Sequence, residues 1–424
     1  MTFEPVTTNL AVLNLSFLLH PLDTLPITAP LSYAIYQGCF SPLSNTPGPF
    51  LASLTRWWLA KLSVAGNYNT FMASLHNKEV SIADLTDIKQ IYGFGSRFQE
   101  SDWYGVWRGH RKFNVFGGQD MQVHALQRKL VARAYALESL EDLEPYVDRS
   151  IEVFMRKMHE QLDQEINMAE WAQLSLLTME PSLLSQLTWL GQVPWLFWLY
   201  GLLIPYIGNY LGVNMRHGPL RDYALKAAAE RQKWLAEKRD MIGRFFETSA
   251  TKPEEFDYNA IVSMGTTNIT AGSDTTAVST RAIIYHLLKN RTVKQKLLEE
   301  IDELRRKGEL GDPVRFDKAN KMTYLQAIMQ EGLCMHPAVG MNLPRVVPLG
   351  GTEINGHYFP EGSVLGVIAW VVHQNKDVYG EDADQFRPER WLKKDAHDMR
   401  KSNCKYRFFS FGGGSRSCIG KNIS

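Results

Sequence analysis

Cys418 sits in the run Phe411-Gly412-Gly413-Gly414-Ser415-Arg416-Ser417-Cys418-Ile419-Gly420. One cysteine in a glycine-rich loop, with an arginine two residues before it, is a chemically pointed arrangement. Glycines let the backbone turn back on itself and aim its amides at the sulfur. Such amides, with a nearby cation, favour thiolate over thiol. The run reads as a thiolate metal ligand, and Gly420 leaves room for something flat and bulky. Two other readings stand beside it: a glycine-rich turn with an incidental cysteine, and a phosphate cradle. The Gly-Lys-Ser/Thr ending of a phosphate cradle is absent.

A second constellation is Ala271-Gly272-Ser273-Asp274-Thr275-Thr276. It falls inside a long stretch of low charge, Asp257 to Leu288, that reads as a central buried helix. Glycine and hydroxyl residues are unfavourable in such a helix. An acid followed by two hydroxyls predicts a distorted helix with a polar notch for a small ligand or a proton relay. The apolar flanks Ile269, Ala277-Val278 and Ile283-Ile284 argue against an ordinary surface helix.

The elements that must position these residues are mostly helical. Helical spacing runs through Asp120–Leu137, Asp142–Leu162, Pro219–Phe246, Val293–Lys307 and Met322–Met335. Thr352 to Phe359 reads as a hairpin turning at Asn355-Gly356, and Ser363 to Ala369 as a strand. The predicted fold class is mainly α with a small β region. The 424 residues carry 46 basic and 45 acidic side chains, a net charge of +1, which gives no global argument for nucleic acid. Four cysteines (Cys39, Cys334, Cys404, Cys418) with no CxxC spacing exclude a disulfide framework and a structural zinc site.

These residues carry a resemblance. Phe411, Gly414, Arg416, Cys418 and Gly420 match the haem signature of the cytochrome P-450 superfamily. Ala271 to Thr276 resembles its oxygen-binding helix motif, and Phe386-Arg387-Pro388-Glu389-Arg390-Trp391 its Pro-Glu-Arg-Phe segment. Glu331 resembles the first residue of its Glu-x-x-Arg helix. Ile91-Tyr92-Gly93, Ser101-Asp102-Trp103-Tyr104 and Leu343 to Pro348 are similar to fungal, pisatin-demethylase-like members. The resemblance implies a cytochrome P-450 fold over about residues 47 to 424, with Cys418 as the thiolate on haem iron. It implies that Asp274 and Thr275 deliver protons to dioxygen, and that Ala271 and Gly272 leave room for it. Arg416, Arg345, Arg128 and His124 would face the haem propionates. Glu331 and Arg390 would belong to a buried charge network behind the cysteine loop. The implied activity is a monooxygenase oxidising a lipophilic small molecule of fungal secondary metabolism. Its electrons would come from an NADPH-dependent flavin reductase, and it would sit at the cytosolic face of the endoplasmic reticulum membrane. The alternative is an inactive or haem-deficient remnant of such an enzyme.

Two departures from that pattern are visible. The residue three after Glu331 is Cys334, where the pattern has arginine. Residues i and i+3 share a helix face, so the sequence predicts a buried carboxylate short of one partner, and hence poor haem retention. Only Ile419 to Ser424 follow Cys418, where the resemblance implies a further helix and hairpin. Gaps are also expected near Val80-Ser81 and after Gln173.

The surroundings add three expectations. Residues 1–46 read as a leader and weak membrane-anchor candidate, broken by Pro21, Pro26, Pro30 and Pro42. The uncharged run Pro181 to Met215 reads as core helices or an apolar lid. Between 387 and 421, ten basic residues face three acidic ones, which suits an acidic reductase or a solvated loop.

Overall fold

The computed structural model describes residues 32–41, 57–76, 84–108, 111–161, 164–167, 198–199, 202, 218–234, 240–392 and 408–423. Its contacts divide the chain into two units, Met1–Trp58 and Leu59–Ser424. The described part of the first contains a π-helical turn at Tyr36–Phe40. Most of the expected leader, most of the 181–215 run and the basic stretch 393–407 lie outside the described residues. Among the described residues, no helix is long and apolar enough to cross a membrane.

The second unit is mainly helical. In chain order its helices include α1 (Leu85–Tyr92), α2 (Trp103–Arg108), α3 (Met121–Val131), α4 (Glu144–His159), α5 (Gly218–Gln232) and α6 (Met241–Thr251). They continue with α7 (Tyr258–Lys289), α8 (Arg291–Arg306), α9 (Thr323–Met335) and α10 (Ala369–His373). Asp120 starts α3 by accepting the backbone N–H groups of Gln122 and Val123 at 2.8 and 2.9 Å. Asp257 starts α7 by accepting that of Ala260 at 2.8 Å. These caps explain why an acid precedes each apolar run.

The β region is small. Strands β1 (Gln99–Glu100), β2 (Arg345–Val346) and β5 (Val364–Leu365) form one antiparallel sheet in the order β1-β2-β5. Glu100 pairs with Arg345, and Arg345 with Leu365. Strands β3 (Thr352–Ile354) and β4 (His357–Phe359) form the expected hairpin. Asn355 and Gly356 both take positive φ, 50° and 73°, as that two-residue turn requires.

The core is built around the first turns of α7. Ile261, Val262 and Met264 pack with Phe113, Phe245 and Phe256. A second cluster joins Ile88, Ile91 and Tyr92 of α1 to Leu365, Val372 and Phe409, so the cysteine loop begins inside a core.

Three expectations are corrected. Pro219–Phe246 is not one helix: α5 ends at Gln232 and α6 starts at Met241, capped by Asp240. The strand expected over Ser363–Ala369 covers only Val364–Leu365, because Ala369 opens α10 and turns Val371 and Val372 into the core. Helix α7 is continuous through Gly272. Its hydroxyls fold back onto carbonyls one turn earlier, Thr275 Oγ1 onto Ala271 O at 2.7 Å and Ser279 Oγ onto Thr275 O at 2.9 Å, and so satisfy themselves without breaking the helix.

Candidate functional site

The cysteine loop is held from both ends. At its start, Phe409 N–H donates to His373 Nε2 at 3.0 Å, and Ser410 Oγ donates to Leu333 O at 2.9 Å. His373 Nδ1 lies 2.9 Å from Cys334 O, so the loop hangs from the last turn of α9. In the middle, Cys418 N–H donates to Phe411 O at 2.8 Å and closes the loop on itself. At its end, Asn422 Nδ2 donates to Tyr135 O at 3.1 Å. Gly414, at φ 59°, is a true glycine position: a Cβ there would stand 2.0 Å from Tyr92 O.

Cys418 is solvent-accessible, although protein surrounds it on most sides. That desolvation pushes the thiol up from its ordinary value, against the pull of the Gly420 and Lys421 amides and of Arg128. The expectation that the loop by itself favours thiolate is therefore corrected. Desolvation outweighs the dipoles, and a bound cation would be needed to hold the thiolate. Cys334 is a different kind of cysteine. It is buried on α9 among Tyr379, Ala383, Trp391 and Phe408.

Three arginines and one histidine, the residues singled out in the sequence for this role, lie near one another beside the loop. Arg345 on β2 donates to Tyr104 Oη at 2.9 Å and lies over the Tyr92 and Tyr104 rings at 5.0 and 5.2 Å. Arg416 donates to Gly118 O at 2.6 Å. Arg128, in the last turn of α3, is close enough to feel the Cys418 charge. His124, one turn earlier, is buried, and burial with Arg416, Arg128 and Arg345 holds it down to about 3, so it is neutral. Within this group sits Glu100. Its Oε1 is 3.5 Å from Arg345 and its Oε2 is 2.8 Å from Arg416. Burial pushes Glu100 up to about 7 in spite of both arginines. Two guanidiniums thus face one reluctant carboxylate, and Arg128 adds its charge beside Arg416. That is a positive excess suited to an anionic ligand with carboxylate groups.

The oxygen-motif residues lie on α7. Asp274 and Thr275 are half-buried, while Ala271 and Gly272 are exposed on a helix whose first turns are buried. A Cβ on Gly272 would meet nothing within 4 Å, so open space lies beside it. The structure ties α7 to the cysteine loop through Tyr135. Its hydroxyl donates to Asn268 Oδ1, one turn before Gly272, and its carbonyl holds Asn422. No direct contact between Ala271–Thr275 and Cys418 is present among the described residues.

The charge network behind the loop is complete. Glu331 is 1% exposed. Its Oε1 accepts Arg387 N–H at 2.7 Å and Arg390 Nε at 3.0 Å, and its Oε2 accepts Trp391 Nε1 at 2.6 Å. Arg390 spends its other N–H groups on the carbonyls of Tyr379, Asp382 and Gln385 at 2.8 to 2.9 Å. The expectation of a carboxylate short of a partner at Cys334 is corrected. Donors from the 387–391 segment reach it.

Sequence reasoning missed Glu100, His373 and Tyr135. Their partners are distant in the chain, as Arg345 and Arg416 are from Glu100, so no local spacing signals them.

Comparison with known proteins agrees with this geometry. Residues 191–424 match the model of the Cytochrome P450 family. The chain is 32% identical to the cytochrome P450 monooxygenase hepC of Aspergillus oryzae, over 93% of this chain and 86% of that protein. It is 32% identical to a pisatin demethylase of Fusarium vanettenii, over 95% of this chain and 85% of that protein. It is 30% identical to the cytochrome P450 monooxygenase cicH of Emericella nidulans, over 90% and 85%.

Proposed function

The chain belongs to the cytochrome P450 family, whose members are haem-thiolate enzymes, and from that premise we propose that Cys418 holds the haem iron and that the protein monooxygenates a lipophilic small molecule. The observation that carries the assignment is the pairing of an accessible cysteine with a convergent group of arginines around one buried acid. Haem suits that donor set. Cys418 would hold its iron through the soft sulfur, and Arg128, Arg345 and Arg416 would face its propionates. Cys334 is enclosed in an apolar cluster and offers no such approach. When bound, the haem would supply the activation of dioxygen, one atom entering the substrate and the other leaving as water at the expense of two electrons and two protons.

The residues of this chain have their own tasks. The Gly420 and Lys421 amides point at the sulfur and fix it. Arg345 and Arg416, oriented by Tyr104 and Gly118, would hold the propionates. Gly272 keeps a space open beside α7. Asp274 and Thr275 stand at its edge as the acid and hydroxyl able to pass protons inward. Thr275 is held by Ala271 O until a ligand competes for it.

The substrate reading, a lipophilic product of fungal secondary metabolism, is supported by the resemblance to pisatin demethylases and other fungal monooxygenases. Electrons would come from an NADPH-dependent flavin reductase at the endoplasmic reticulum membrane, a placement supported by family likeness alone. Reconstitution with NADPH, a fungal flavin reductase and isotopically labelled dioxygen tests this reading. One labelled atom in an oxidised lipophilic substrate supports it. NADPH consumption no faster than the reductase's own rate, with no label in any product across a substrate panel, would argue for the inactive remnant.

A further inference from the structure

Trp391 makes the contact that the network's pattern assigns to an arginine. We propose that the Trp391 indole N–H stands in for the arginine absent at position 334, and that Trp391 is the positioning residue that keeps the cysteine loop in its haem-binding form. The proposal rests on the family reading for what position 334 lacks and for what the loop binds.

The physical argument starts from Glu331. At 1% exposed it has no water to fall back on, so every donor it keeps must come from the protein. Its Oε1 is served by the 387–390 segment, and its Oε2 by Trp391 at 2.6 Å. A hydrogen bond this short to a carboxylate is charge-assisted, and stronger than a neutral pair. A tryptophan filling a core for its bulk alone would not need to aim its one donor at a buried acid.

Volume points the same way. Trp391 packs in the same apolar cluster as Cys334, with Tyr379, Ala383 and Phe408. A small side chain at 334 leaves the space that a large ring at 391 fills. An arginine at 334 would compete both for that space and for the same carboxylate. The ring then transmits position to the loop. Trp391 lies edge-on to Phe408 at 5.8 Å, and Phe408 stacks on His373 at 5.8 Å and 14°. His373 in turn holds the N–H of Phe409.

The expected consequence is a reversal of sign. In the presence of Trp391, Cys334→Arg overfills a packed cluster and adds no needed donor, so it lowers stability and haem content. In the presence of Trp391→Phe, the same arginine supplies the missing donor and has more room.

The test uses the full chain in four forms: wild type, W391F, C334R and the double variant. Haem per chain and the melting temperature are measured for each. W391F keeps the aromatic packing but loses the N–H. It should melt several degrees lower and release haem roughly tenfold faster, the usual weight of one hydrogen bond to a buried charge. C334R should also be worse than wild type, and the double variant should be better than either single one. Wild-type behaviour of W391F, improvement by C334R alone, or a double variant at the sum of the two losses would each overturn the proposal. If W391F gives no soluble protein, the double variant decides: soluble haem-bearing chain supports the exchange, and none overturns it. If the wild type itself binds no haem, the haem-holding reading fails, while the four melting temperatures still decide the Glu331–Trp391 pairing.

Discussion

His373 Nε2 accepts the backbone N–H of Phe409 at 3.0 Å, while its Nδ1 faces Cys334 O at 2.9 Å. An amide can only donate and a carbonyl can only accept, so these partners assign the proton to Nδ1. One neutral imidazole therefore ties the last turn of α9 to the start of the cysteine loop. Burial holds His373 down to about 4, below its ordinary 6.5.

The fold thus prefers this histidine unprotonated. Its contribution is whole above pH 6.5 and is lost as pH falls from there toward 4. H373F keeps the ring stacked on Phe408 and loses both hydrogen bonds. It should melt lower at pH 7.5 and show a flatter decline between pH 6.5 and 4.5. Buried His124 titrates in the same direction, so some slope should persist.

Glu100 gives the opposite slope. Its carboxyl is raised from 4.5 to about 7, so the fold favours the protonated form and loses stability as pH rises through that range. E100Q keeps the shape and removes the charge. Compared with wild type, it should gain melting temperature at pH 8 relative to pH 5. Equal pH slopes in the two proteins would show that Glu100 is not desolvated as described.

Two glycines in the loop should behave differently. G414A needs a positive φ and sets a methyl against Tyr92 O, so it should cost at least about 1–3 kcal/mol and disorder the loop. At Gly420 a Cβ would stand 3.9 Å from Cys418 Sγ and meet no protein clash. G420A should leave the melting temperature of the haem-free chain nearly unchanged and lower haem affinity. Thermal melts with and without added haem separate the two.

Tyr135 links α7 to the loop by two different groups. Y135F removes the donor to Asn268 but keeps the carbonyl that holds Asn422. It should cost about 1 kcal/mol in chemical denaturation and leave the haem spectrum in place. A large spectral change would mean that the hydroxyl itself governs the sulfur.

The sequence made some of this legible. The central helix, the Asn-Gly hairpin and the cysteine loop are signals carried by neighbours within a few residues, and each is found in the structure. The β5 strand was overread, because a run such as Val364 to Ala369 suits a strand or a buried helix until the packing decides. The network around Glu331 was misjudged for another reason. Counting along one helix finds Cys334 but cannot find Trp391, whose indole arrives from sixty residues away. Glu100 and His373 were invisible because strand pairing and loop hanging, not spacing, give them their partners.

The central claim is that Cys418 ligates haem iron as a thiolate. The carbon monoxide difference spectrum of the dithionite-reduced protein, wild type beside C418S and C334S, tests it most directly. The account predicts a strongly red-shifted Soret band in the wild type and in C334S, and its loss in C418S. A red-shifted band that survives C418S, or disappears in C334S while the fold is kept, would contradict it.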